Sequence, residues 1–336
     1  MNPQPAARSI MALADLATPM SVRVAATLGL ADLTGDEGAT PEELAAATRV
    51  YLPALSRLLD HLVTADVFQR DPETDRYRPT SLGAQLREDS SEGVKILLDI
   101  NTAGGRGELA FVELLDTVTS GTSGYVSRYG REFWADLEAH PHLRHTFDAQ
   151  MNWRFRTQAP QIAECFDWSR FSKILDVGGG DGVLLEAILR VHPDVQGTVL
   201  DLSPTAEAAS NRFTVTGLDD SARAASGSFF DPLPTDADIY LLSDIIHDWD
   251  DDHARAILAR CRDAAAANDA AIVLIEPVQG HGASTGVDLF MLLCFGGRER
   301  SIDDLNRLAA DSGLEPRGAV AVADGRMALE FAAVSA

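Results

Sequence analysis

At 336 residues the chain is long enough for two ordinary domains, and its 46 % apolar and 24 % charged residues are globular proportions. A formal net charge of −23 argues against nucleic acid as a partner, because that binding rests on cations neutralising phosphates. No apolar run approaches the roughly 20 residues of a membrane span, and Met1–Ala14 lacks the basic start and apolar block of a signal peptide. The expectation is a cytoplasmic protein with no membrane and no nucleic-acid partner.

The first half reads as helical. A helix is expected over Ile10–Leu28, interrupted at Pro19, followed by short helices over Ala25–Leu33, Pro41–Thr48 and Leu52–Ala65. Thr40 is a good N-cap, with Pro41 at the first helical position and Glu43 placed to close a capping box. Val67-Phe68 and Tyr77-Arg78-Pro79 flank the polar turn Asp71–Asp75 and read as a small hairpin, so the unit resembles a winged helix-turn-helix. Read for DNA recognition, the candidate helix and its flanks offer only Arg49, Arg57 and His61, against Asp60 and Asp66 nearby. A dimerisation module fits the acidic chain better. Further helical patterns cover Gly93–Leu115 and Glu132–Ala163; the second carries Trp134, Phe147, Met151, Asn152 and Phe155, a composition suited to walling a pocket for a flat ligand.

Near residue 160 the pattern changes to apolar, β-rich runs alternating with amphipathic helices. This places a helical domain over 1–158 and an α/β domain with a Rossmann-like, doubly wound parallel sheet over 159–336. Strands are expected at Lys173–Val177, Gly197–Leu202, Ala224–Phe229, Ile239–Ser243 and Ala271–Glu276, then a terminal β-pair. Helices are expected at Val183–Val191, Ala206–Thr216, Asp252–Ala267, Leu289–Leu293 and Ile302–Ser312. Cys165, Cys261 and Cys294 are scattered without metal-ligand spacing, and no metal is expected.

Gly178-Gly179-Gly180 directly follows a strand and leads into a helix, where bare backbone N–H groups can meet a ligand. Asp201, closing the next strand, can accept hydrogen bonds from a ribose diol. Both a nicotinamide dinucleotide and S-adenosylmethionine fit these features. Asp176 and Asp181 favour the second, because carboxylates repel a pyrophosphate but suit a sulfonium and an ammonium group. His247 follows the fourth strand among carboxylates, where a neutral imidazole could take a proton from a phenol. Glu276 ends the fifth strand, and Glu299 lies in the turn Gly296-Gly297-Arg298-Glu299-Arg300; together they could orient the ring.

Asp176-Val-Gly-Gly-Gly-Asp-Gly, Leu200-Asp201-Leu202, Gly227-Ser-Phe-Phe-Asp-Pro-Leu-Pro, His247-Asp-Trp-Asp-Asp and Gly296-Gly-Arg-Glu-Arg resemble, in order and spacing, the small-molecule O-methyltransferases. That family includes plant caffeic acid and hydroxyindole enzymes and bacterial polyketide-tailoring enzymes. Ala14-Asp-Leu-Ala-Thr-Pro-Met and Arg128-Tyr-Gly-Arg-Glu-Phe-Trp are similar to its actinobacterial, naphthoic-acid-methylating branch. The resemblance implies a class I methyltransferase fold with an N-terminal winged-helix-like dimerisation domain, a homodimer, S-adenosylmethionine as cofactor and an aromatic small molecule as acceptor. It implies His247 as general base flanked by Glu276 and Glu299. It implies a cofactor site of Asp176, Gly178, Gly180, Asp201, Leu202, Ser228, Phe229, Ser243 and Trp249. Acceptor contacts fall to Trp134, Phe147, Met151, Asn152, Phe155, Met291 and Phe295. Ser228 stands where many members have Asp, and Ser243 where many plant members have Lys. The competing readings are a nicotinamide-dependent oxidoreductase and a ligand-responsive winged-helix DNA-binding protein.

Overall fold

The computed structural model describes residues 9–334, so the reading of Met1–Ala14 rests mostly on residues outside that range. The chain forms two compact units that divide after Leu109. Among the described residues no helix is long and apolar enough to cross a membrane.

In the first unit the helices Ala17–Thr27, Pro41–Thr48 and Leu52–Thr64 and the hairpin β1 (Phe68–Arg70) and β2 (Tyr77–Pro79) enclose one apolar core. The capping box forms as read: Thr40 Oγ1 accepts from the Glu43 N–H at 3.3 Å, and Glu43 Oε2 accepts from the Thr40 N–H at 2.9 Å. Ala39 bridges to Tyr77, adding a third extended segment to the hairpin. The expected break at Pro19 lies earlier, after Leu13. Asp15 caps the next helix by accepting from the Ala17 and Thr18 N–H groups, so Pro19 sits in a first turn that needs no donor from it. The expected helix Gly93–Leu115 is instead broken into Lys95–Leu98, Ala103–Leu109 and a 3₁₀ turn over Ala110–Glu113. A Cβ on Gly105 would lie 1.9 Å from the Asp99 carbonyl oxygen, so the backbone turns back against this helix where a glycine permits it.

The second unit is built on a seven-stranded sheet. Its strands are β3 (Lys173–Val177), β4 (Gln196–Asp201), β5 (Ala222–Ser226), β6 (Ile239–Ser243), β7 (Ala271–Pro277), β8 (Leu314–Ala323) and β9 (Arg326–Ala333). The order is β5-β4-β3-β6-β7-β9-β8; the first five are parallel, and β9 lies antiparallel between β7 and β8. The chain starts at β3, winds outward through β4 and β5, then returns through β6 and β7. That is the doubly wound pattern, with its switch point between β3 and β6. Both faces are covered: Tyr240, Leu242, Ile272 and Leu274 point into one core, and Ile239, Leu241, Val273 and Ile275 into the other. This is why these strands read as unbroken apolar runs.

The expected helix Glu132–Ala163 is two, Phe133–Ala139 and Pro141–Cys165. His140, preceding a proline, is held extended at φ −130°, and Pro141 restarts the helix at a position that lacks no hydrogen bond. The boundary read after residue 158 falls inside this second helix. The third strand ends at Ser226, earlier than expected, because the Gly227 N–H donates to the Asp201 carbonyl and the chain then turns.

Candidate active site

The carboxyl ends of β3, β4, β6 and β7 carry the chemistry-bearing residues of the second unit. After β3 the backbone takes positive φ at Gly178 (74°), Gly180 (62°) and Gly182 (86°), conformations that side chains resist. Gly178 N–H donates to Leu200 O at 2.8 Å, tying the loop to β4. A Cβ on Gly178 would meet Ile245 Cδ1 at 2.6 Å and the Phe229 ring at 3.4 Å. Asp201 organises the same loop: Oδ2 accepts from the Gly180 N–H at 3.0 Å and Oδ1 from the Leu202 N–H at 2.7 Å. Each oxygen keeps a lone pair for a further donor. The Leu202 side chain itself is exposed.

Asp176 is wholly buried, and neither carboxylate oxygen has a partner. Burial, and then the neighbouring charge of Asp201, push its pKa up to about 7. An orphaned buried carboxyl beside a second one is poor company for a pyrophosphate. It suits a ligand that brings hydroxyl donors and positive charge, so these residues fit S-adenosylmethionine. Asp181 differs from the sequence reading, which counted it as free negative charge. Its Oδ2 accepts from Arg212 Nη2 and from Asn152 Nδ2, each at 2.7 Å, and Arg212 also reaches Glu186. Asn152, read as an acceptor contact, thus has its amide engaged by the loop.

Ser243 Oγ is buried without a partner at the end of β6, a spare polar group beside the loop. Ser228 Oγ accepts from the Phe230 N–H at 3.2 Å and so caps its own turn. Phe229 meets Trp249 edge-on with centroids 5.9 Å apart. Trp249 also stacks on Trp134 at 6.3 Å, and Trp134 stacks on Phe295 at 5.3 Å with Phe147 against its edge. Trp249 therefore joins the aromatic residues beside the Gly loop to those read as acceptor contacts. Met291 is buried, Met151 is half-buried, and Phe155 packs against the sheet core with the Arg326 guanidinium 5.7 Å from its ring centre.

His247 lies in the 3₁₀ turn Ile246–Asp248 after β6 and is 4 % exposed. Its Nδ1 is hydrogen-bonded to Glu299 Oε1 at 3.2 Å, and Nε2 lies 3.5 Å from Asp248 Oδ1, an ion-pair distance rather than a hydrogen bond. Glu276 does not bond the ring. Its Oε1 accepts from the Ile245 and Ile246 N–H groups at 3.1 and 2.7 Å, holding the turn that carries His247, and its Oε2 has no partner. Burial alone would lower the His247 pKa, but Asp248, Glu276, Glu299 and Asp244 together outweigh it and raise the value to about 10. Burial raises Asp248 and Glu276 to about 7 each, against the opposing pull of His247. The carboxylates around the ring thus favour its protonated form.

Asp244, not singled out from the sequence, anchors this cluster. It is buried at φ 53° and takes a two-pronged hydrogen bond from Arg326, with Arg154 nearby. Burial works against its charge, but Arg154 and Arg326 prevail and hold its pKa at about 2. Asp244, His247 and Glu276 can each bring a ligand atom within 4.8 Å of the others. Two guanidiniums already serve Asp244, and two backbone N–H groups serve Glu276, so a cation has little left to satisfy. Asp148, also missed, is pushed up to about 6 by burial and stands near Asp201 and Asp181. Arg212 gave no signal because its partners Asp181 and Glu186 are distant in sequence, and Asp148 because the carboxylates it stands near, Asp201 and Asp181, are distant too.

Residues 111–315 match the family model of the O-methyltransferase domain, and residues 11–89 that of the O-methyltransferase dimerisation domain. A 2,7-dihydroxy-5-methyl-1-naphthoate 7-O-methyltransferase of Streptomyces carzinostaticus is 48 % identical over 311 residues, 92 % of this chain and 93 % of that protein. Aclacinomycin 10-hydroxylase of Streptomyces purpurascens is 40 % identical over 334 residues, 96 % and 89 % of the two chains. A solved O-methyltransferase from neocarzinostatin biosynthesis, in complex with S-adenosylmethionine and 2-hydroxy-5-methyl naphthoic acid, matches with a TM-score of 0.93 at 45 % identity, covering 98 % of this chain and 100 % of that one.

Proposed function

Because the chain belongs to the S-adenosylmethionine-dependent O-methyltransferase family, we propose that it methylates a phenolic hydroxyl of an aromatic polyketide-type molecule, such as a naphthoate or anthraquinone, in antibiotic biosynthesis. The observation that carries the chemical part is the buried His247–Glu299 pair, set at the strand ends beside the Gly loop and Trp249. Residues 159–336 supply cofactor binding and catalysis. Residues 1–158 supply dimerisation and part of the acceptor wall, so the working unit is a homodimer, and its place is the cytoplasm.

S-adenosylmethionine, when bound, supplies an electrophilic methyl group on a cationic sulfur. Gly178, Gly180 and Asp201 hold the nucleoside, with Asp176, Leu202, Ser228, Phe229, Ser243 and Trp249 around it. Trp134, Phe147, Met151, Phe155, Met291 and Phe295 hold the flat acceptor, and alignment contributes most of the rate. His247 takes the phenol proton while Glu299 keeps the ring oriented and offsets its charge. To do so His247 must first be neutral. The carboxylates that raise its pKa oppose that loss of a proton, so turnover should rise with pH.

Replacing His247 with Gln should cut turnover about 10²–10⁴-fold while S-adenosylhomocysteine affinity, measured by calorimetry, stays near that of the parent. Undiminished turnover would remove His247 from the chemistry. The 40 % identical hydroxylase supports a second reading, oxygen insertion. Mass spectrometry of products from phenolic polyketides separates the two: a gain of one methylene supports methylation, and a gain of one oxygen supports hydroxylation.

A further inference from the structure

The switch point of the sheet lies between the Gly loop after β3 and the turn after β6 that carries His247. Both segments lie past the strand ends: the pairing of β3 with β6 stops at Asp176 and Leu241. The helix Pro141–Cys165 touches both segments. Asn152 donates Nδ2 to Asp181 Oδ2 in the Gly loop at 2.7 Å. Two residues on, Arg154 Nη2 stands 3.6 Å from Oδ2 of Asp244, which leads into the His247 turn. Side chains two apart on a helix point to different faces, so a short stretch of helix can reach two elements. The Asn152 contact is part of a closed ring of hydrogen bonds. Its Oδ1 accepts from Arg212 Nη2 at 3.3 Å, and the same nitrogen donates to Asp181 Oδ2 at 2.7 Å. Arg212 also donates Nε to the Asp181 carbonyl at 3.0 Å and Nη1 to Glu186 Oε2 at 3.3 Å. Asp181 is thus held by side chain and main chain, and Asn152 carries that hold across to the long helix.

We infer that Asn152 is a positioning residue for methyl transfer: it braces the Gly loop against the helix that also reaches the His247 turn, and so sets the spacing of methyl donor and base. The inference rests on the methyl-transfer reading above, with His247 as base. Displacement needs its reacting atoms aligned about 3–3.5 Å apart, and a misplacement of about 1 Å can cost about 10²-fold in rate. Sheet pairing no longer fixes the spacing where the loop and the turn lie, so a brace from a third element is needed. An amide suits the task. It donates to the Asp181 carboxylate and accepts from the Arg212 guanidinium, and it adds no charge beside a cationic cofactor. Removing the amide leaves the loop its other supports. Asp181 keeps Arg212 at its side chain and its carbonyl, and the Gly180 N–H keeps Asp201. Cofactor affinity should therefore survive while alignment is lost.

Steady-state kinetics with S-adenosylmethionine and a hydroxynaphthoate, together with calorimetry using S-adenosylhomocysteine, test this. Asn152→Ala should lower kcat about 10- to 100-fold and leave the S-adenosylhomocysteine Kd within about threefold. The acid limb of its kcat/KM profile should stay in place, because the groups around His247 are unchanged. Asn152→Ser, which keeps a shorter donor, should fall between, and it serves if the Ala variant fails to fold. Hydrogen exchange in the S-adenosylhomocysteine-loaded protein reads the brace without turnover. Amides of residues 148–156 should exchange about tenfold faster in the Ala variant, and those of β3 and β6 at the parent rate. An unchanged kcat, or unchanged exchange in residues 148–156, would overturn the inference. A loss of S-adenosylhomocysteine affinity as large as the loss of kcat would also overturn it, since Asn152 would then only support the cofactor site. An acid limb that moves would overturn it by making Asn152 act through the charge on His247. In all of these the methyl-transfer reading stands. Parent protein that methylates no phenolic acceptor overturns that reading, and the inference with it.

Discussion

Replacing Glu299 with Gln removes a charge and little else. Gln keeps the length of the side chain and can still accept from His247 Nδ1, now 3.2 Å from Glu299 Oε1. The two residues are 4 % and 1 % exposed, so solvent screens their interaction weakly. A buried hydrogen bond to a charged group is worth about 1.5–3 kcal/mol, which is about one to two pKa units on the imidazole. The carboxylates raise His247 from its usual 6.5 to about 10, so losing one of them must lower it. The pH profile of kcat/KM reports the base of the free enzyme. Its acid limb should therefore move to lower pH by about one to two units in the Gln variant, with the plateau reduced about tenfold because the imidazolium formed in the transition state is less stabilised. Titration of the ¹⁵N-labelled imidazole, assigned with His247→Gln, gives the same shift independently. The stability effect has a definite sign. A His pKa raised in the folded state stabilises most below the unfolded value near 6.5, and that contribution fades as pH rises towards 10. The melting deficit of the variant should thus be largest near pH 6 and shrink in base. An acid limb that does not move would show that Glu299 is not coupled to the base.

Gly297→Ala would place a Cβ 2.1 Å from the His247 carbonyl oxygen and 2.6 Å from the Asp248 carbonyl carbon. These are backbone atoms that cannot retreat without carrying the His247 ring, so urea denaturation should show a loss of about 1–3 kcal/mol and turnover should fall further than stability explains. A variant as stable and active as the parent would refute the close approach. Arg326→Met leaves a buried Asp244 with only the long contact to Arg154, a loss of about 3–5 kcal/mol. Asp244 is held at about 2, below its usual value, so its contribution is present above about pH 4 and lost as pH falls towards 2. The gap between parent and variant should close on acidification; a gap independent of pH would place the damage in packing. Adding Asp244→Asn to Arg326→Met should recover much of the loss, because no unpaired charge then remains.

The strands of the parallel sheet were legible because both faces are buried, so Ile239–Ser243 and Ala271–Glu276 read as plain apolar runs between turn signals. The glycine loop and its following acid were legible because strand, turn and helix are contiguous there. His247, Glu276 and Glu299 were found as residues, but their connections were not. Glu276 holds the backbone of the turn, and only Glu299 touches the ring. Nothing local distinguishes those two roles. The hydrogen bonds of Asn152 were equally illegible: its position on an aromatic helix suggested a ligand contact, and nothing local pointed to Asp181 and Arg212, 29 and 60 residues on, which engage its amide. Breaks in the helices were the least legible. They depend on where one segment of backbone crosses another, as at Gly105, and periodicity carries no trace of that.

The antiparallel strand β9 bears on how the site comes into being during synthesis. Asp244 emerges from the ribosome 82 residues before Arg326, the partner that neutralises it, and β7 emerges well before β9, which covers its free edge. For that interval the nascent domain carries near its centre an acid met only by the long contact to Arg154, and an open strand beside it. Buried charge without a partner and an exposed strand edge both favour an open chain or a wrong neighbour. The arrival of β9 closes both at once. Completion of the buried cluster around Asp244 and His247 and closure of the sheet are therefore one late event, and premature termination before Arg326 should yield an aggregating chain rather than a weakened enzyme.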